Sequence, residues 1–149
     1  MPLLFESVED VLVAAVNAVR FLVSGNTINQ SRISSFSVEA IQAIVDFLSV
    51  TESDSLRGAS AACIAALVSG HADNQGLLLE LNVAPALVNL LKARNVSVAV
   101  RAAAAVAALA ADNPKCQERL FELDCAKPLV RVLKVCLLPL NSSTSHFPT

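Results

Sequence analysis

The chain has 149 residues, 54% of them hydrophobic and 16% charged, with a formal net charge of −2. Such a composition excludes a disordered polar chain and suits one packed domain. No cluster of lysine or arginine breaks the near-neutral balance, so electrostatic binding to nucleic acid is not expected.

Trp and Tyr are absent and Phe occurs six times, so the apolar mass is Ala, Val and Leu, side chains that suit closely packed helices. The opening MPLLFESVED carries no basic region, and its apolar start breaks at Glu6, which makes a poor secretory signal. Nowhere does a run of about 18 uncharged apolar residues occur. The stretch Ala102 to Ala111 is too short and sits behind Arg101, so no membrane insertion is expected. Cys63, Cys116, Cys125 and Cys136 show no CxxC spacing, and His71 and His146 lie far from them. Neither a metal nor a cofactor is expected. Reduced thiols acting as small apolar fillers, Cys63 on a buried helix face, point to a cytoplasmic or nuclear protein.

Taken in chain order, the segments repeat. LVSGNTINQ (Leu22 to Gln30) returns as LVSGHADNQ (Leu67 to Gln75), 45 residues on, and AIVDFL at Ala43 returns as ALVNLL at Ala86, 43 on. QGLLLELNVAPALVNLLK (Gln75 to Lys92) returns as QERLFELDCAKPLVRVLK (Gln117 to Lys134), 42 on, without a gap. Agreement through loops as well as helices marks a structural period. Within it, SGHADN around His71 reads as a polar connection and Leu77 to Leu81 as a short helix. Asn82 and its counterpart Asp124 stand where a left-handed residue must turn one helix into the next. A helix over Pro85 to Ala93 follows. Ser97 is the expected N-cap of a helix over Val98 to Ala111, stopped by Asp112-Asn113-Pro114. Pro114 can open the next helix, and Pro128 to about Leu138 forms the last one. Pro139 to Thr149 lacks helical periodicity and reads as a disordered tail. Three helices per period, without alternating strand patterns, predict an all-α solenoid.

Asn82-Val83-Ala84-Pro85-Ala86-Leu87-Val88-Asn89-Leu90-Leu91, then a polar loop, Val98 and an Ala-rich helix ending Leu109-Ala110, resembles the armadillo repeat. The resemblance covers about residues 8 to 136 and implies a right-handed α-solenoid of three-helix repeats. Its register implies a third helix at 8–24, repeats at about 27–70 and 74–111, and a partial repeat at 114–136. Residues 1–7 are a lead and 137–149 the tail. The two-helix HEAT pattern fits less well, because it leaves no place for the short helix before Asn82.

In armadillo proteins the third helices line a concave face, where recurring Trp and Asn side chains clamp extended basic peptides. Here the Trp positions fall on Asn17, Ala62 and Ala104, and the Asn positions on Phe21, Ala66 and Ala108. None matches, so the basic-peptide clamp of import receptors loses its mechanism. The face implied is small and apolar, with Asn17 and Arg101 as its polar members. It suits a partner protein offering an amphipathic helix or apolar anchors, Arg101 being able to pair with a partner's carboxylate; a vacant groove in which alanine serves helix packing alone is the alternative. Glu80 and Glu122, one turn into matching short helices, lie a whole period apart and cannot share a proton. His71 is the one candidate base in the folded region, and four glycines form no phosphate loop, so catalysis is not expected.

These residues predict a scaffold or adaptor. A substrate-recruiting segment of a larger protein such as a ubiquitin ligase, or a shortened form with little activity, are the alternatives. The apolar Pro128–Leu138 element and the helix carrying Val11, Leu12, Val16 and Val19 each lack the neighbours that a repeat needs. At about 25 cal/mol per Å², an uncovered helix face forfeits several kcal/mol, so the chain is expected to be an excerpt of a longer array or to self-associate through its ends.

Overall fold

The computed structural model describes residues 8–138. The lead at 1–7 and the tail at 139–149, with the disorder expected there, lie outside them. Among the described residues every regular element is an α-helix: α1 Val8–Val23, α2 Thr27–Phe36, α3 Val38–Asp46, α4 Asp54–Val68, α5 Ala72–Glu80, α6 Val83–Leu90, α7 Val96–Ala110, α8 Pro114–Glu122 and α9 Ala126–Leu137.

The long helices form one row. α4 lies between α1 and α7 and packs extensively on both, while α2, α5 and α8 make a second row in contact from one to the next. Ala, Cys and Gly on α4 let the long helices approach closely. Gly58, Ala59, Ala61 and Cys63 are buried there beside Ile64, Leu67 and Val68. On the other side of α7, Leu87, Val88, Leu90 and Leu91 close the core from α6 and its C-cap.

The same junction ends each long helix. Gly25 (φ 68°), Gly70 (φ 67°) and Asp112 (φ 53°) turn the chain through the left-handed region. Asn26, His71 and Asn113 follow in nearly identical extended conformations, each accepting a bond from the backbone N–H three residues on. The short-helix turns use Asn82 (φ 62°) and Asp124 (φ 56°), as the sequence predicts. Between α2 and α3 no Asn, Asp or Gly stands at that place. Ser37 in extended conformation (φ −158°) ends one helix and caps the next instead.

Several boundaries differ from those expected, for local reasons. α7 is capped by Asn95, not Ser97: its Oδ1 accepts from Ser97 N at 3.0 Å and Val98 N at 3.4 Å, so the helix starts two residues earlier. Only Ser69, Gly70 and His71 of SGHADN form a connection, because His71 caps α5 and the helix begins at Ala72 instead of Leu77. The period beginning at 74 therefore starts earlier too. Glu80 and Glu122 end α5 and α8 instead of lying one turn in. α6 and α9 begin before Pro85 and Pro128, each proline being third in its helix, where its missing N–H costs no intrahelical bond. α9 runs through Leu137, one residue into the expected tail.

Candidate functional site

α1, α4 and α7 place their N-termini at one end of the row, and a ladder of polar bonds registers them. Ser53, the N-cap of α4, donates its hydroxyl to Glu9 in the first turn of α1. Asn95, the N-cap of α7, donates to Asp54 in the first turn of α4 at 3.2 Å. Acidic side chains at these positions also oppose the positive ends of the helix dipoles. The far ends are held by glutamines. Gln30 Nε2 donates to the carbonyls of Ala66 (2.7 Å) and Ser69 (3.0 Å) at the end of α4. Gln75 does the same to Ala108 and Ala111 at the end of α7, both at 2.9 Å. Asn74 Nδ2 ties α5 to Leu67 O (2.8 Å) and to Gln30 O (3.3 Å). The counterpart of Asn74 is Cys116, whose Sγ faces Gln75 O at 3.9 Å.

Held this way, the three helices bring the candidate residues to two neighbouring depressions. Phe21, Ala62, Ala66, Ala104 and Ala108 line one groove of about 380 Å³, together with Arg20. Ala62, Ala66, Ala104 and Ala108 give it methyl groups on the α4 and α7 sides, and Phe21 stands on the α1 side. The Arg20 guanidinium carbon lies 4.3 Å from the centre of the exposed Phe21 ring, a cation–π contact. Asn17 and Arg101 line the second depression, about 360 Å³, with Asp54, Gly58 and Asn95. Arg101 lies close over Gly58: a Cβ built there would meet Arg101 Nη1 at 3.4 Å and Arg101 Cδ at 3.5 Å, ordinary van der Waals contact. The Arg101 side chain is thus laid across α4. Asn17 Oδ1 is buried without a hydrogen-bond partner.

The chemistry around these grooves is quiet. Burial pushes the Cys63 thiol up to about 12, with Arg20 pulling it partly back, so the thiol stays protonated and unreactive. Cys116 and Cys125 are raised by burial as well. Among the described residues no three His, Cys, Asp or Glu side chains converge in a metal-holding group. No described helix is long and apolar enough to cross a membrane. His71 is engaged in structure: Nδ1 accepts from Asn74 N at 3.2 Å, which leaves Nε2 to donate to Ser31 Oγ at 2.7 Å. The sequence reading missed the glutamine clamps and the Ser53–Glu9 and Asn95–Asp54 ladder. Both were marked by the same period, since Gln30 and Gln75, like Glu9 and Asp54, stand 45 residues apart.

The chain matches no protein-family model, and no curated protein sequence matches it significantly. The armadillo likeness rests on the residues quoted above.

Proposed function

We propose that the chain is a segment of right-handed, armadillo-type α-solenoid that acts as a protein-binding scaffold. It engages a partner along the face made by α1, α4 and α7. The observation that carries this reading is the groove of Phe21, Ala62, Ala66, Ala104 and Ala108, drawn from three helices, with Arg20, Ser24 and Ser69 adding polar groups to its lining. A surface of this kind takes apolar anchors from an amphipathic helix, with affinity supplied by burial and orientation by polar groups at the margin. Arg101 and Asn17 supply that margin, and Arg101 is placed to meet a carboxylate on the partner. The lack of indoles and amides in the groove argues against an extended lysine-rich peptide as ligand.

The test is a crosslinking pull-down comparing the wild-type chain with Phe21→Glu and Ala104→Glu. A partner lost from both variants, which differ in helix but share the groove, is the expected result. Partners retained by both would move binding to another face.

A further inference from the structure

The helices fall into the order third, first–second–third, first–second–third, first–second. Among the described residues no first and second helix precede α1, and no third helix follows α8 and α9. At the α8–α9 end, side chains that are covered in the complete triplets are bare. Leu48 and Leu91 are 3% and 0% exposed beneath their third helices, whereas their counterpart Leu133 on α9 is 61% exposed. Val45 and Val88 are buried, and their counterpart Val130 is exposed. α1 carries the complementary deficit. Leu67 of α4 and Leu109 of α7 are 1% and 0% exposed against the short helices, but Leu22, in the same position on α1, is 59% exposed. Val11, Ala15, Ala18 and Leu22 make one exposed stripe at helical spacing on α1.

A polar observation identifies what belongs there. Gln30 and Gln75 are buried and clamp two carbonyls at the end of their own third helix. Gln117, the next in the series, is exposed and folds back onto Ala110 O at 2.9 Å. The acceptors it is registered for are the carbonyls equivalent to Ala66 and Ser69, which on α1 are Phe21 and Ser24. Charge agrees with this pairing. The last turn of α9 carries Lys134, the first turn of α1 carries Glu9 and Asp10, and second and third helices joined by a short loop run antiparallel.

We propose that α1 of a second copy of this chain docks on the α8–α9 face and completes the split triplet. Gln117 then clamps the end of the incoming helix, and the row α1–α4–α7 continues into the next molecule. The interface is head-to-tail, pairing two different surfaces, so each added copy presents a fresh α8–α9 face and growth passes the dimer, ending only where the rotation closes a ring.

Sedimentation velocity of the full 149-residue chain tests this across a wide range of concentration. The wild type is expected to grow past the dimer. Leu22→Glu and Leu133→Glu, both at exposed positions, each give a monomer with wild-type helical content. Mixed in equal amounts they form a one-to-one dimer that grows no further, because each supplies the face the other has lost. Val11→Glu and Val130→Glu repeat the pairing from independent positions. Gln117→Ala weakens association about tenfold, the loss of roughly one hydrogen bond to a carbonyl. Ala62→Glu, in the middle of the partner groove, leaves assembly unchanged, so the groove reading and this one fail separately. A wild type that stays monomeric, a mixture that stays monomeric, or either glutamate variant dimerising by itself would overturn the proposal.

Discussion

Gln30 on α2 and Gln75 on α5 make matching bonds to the ends of α4 and α7, but their acceptor oxygens differ in fate. Gln75 Oε1 receives a bond from Asn113 Nδ2 at 3.1 Å. Gln30 Oε1 is buried and has no partner, because the cap next to it is His71, whose free nitrogen points to Ser31. Replacing that histidine with the residue found at both other caps would supply the missing donor. His71→Asn is therefore expected to stabilise the chain by about 1 kcal/mol, the scale of satisfying one buried acceptor. Urea unfolding followed by circular dichroism would read this as a higher midpoint at unchanged slope. The helix start at Ala72 is kept, since Asn is at least as good an N-cap as any other residue.

At the scale of the helix, junction and interior make opposite demands on glycine. Gly70 turns the chain at φ 67°, whereas Gly76 lies inside α5 with no neighbouring atom within 4 Å of a built Cβ. Gly76→Ala is expected to raise stability by about 0.5–1 kcal/mol, since alanine is the better helix former and its unfolded chain has less freedom to lose. Gly70→Ala is expected to lower it by about 1–2 kcal/mol, because a Cβ is strained in left-handed backbone. Thermal melts of the two single variants would show shifts of opposite sign. Junctions of this kind explain what could be read from the sequence and what could not. Asn82 and Asp124 announced their turns because few other side chains tolerate left-handed backbone. Asn95 hid behind Ser97, since both are good caps and the choice depends on which side-chain oxygen reaches two amides. α2 was the least legible element: its polar sequence TINQSRISSF carries almost no apolar stripe, and its place is fixed by the Asn26 cap and the Gln30 clamp to α4. The candidate groove was legible to the extent that one residue position recurs per period. Phe21, Ala66 and Ala108 share such a position and do line a single groove. Asn17 and Arg101 instead line the neighbouring depression, where the arginine side chain lies close over Gly58 of α4.

For the molecule as a whole, apolar faces are covered by sequential neighbours, with α4 and α7 covered on both sides and α1 and α9 on one. Stability is then a sum over adjoining units instead of the property of one closed core. Groove and exposed end faces follow from the same arrangement: the groove from the long helices standing side by side, the exposed faces from α1 and α9 having neighbours on one side only among the described residues. Native-state hydrogen exchange on the monomeric Leu22→Glu variant measures this directly. Amides in the middle of α4 and α7 are expected to exchange through the rarest openings, while α1 and α9 exchange through partial unfolding at lower free energy. Equal protection of all four helices, opening together in one global transition, would contradict it.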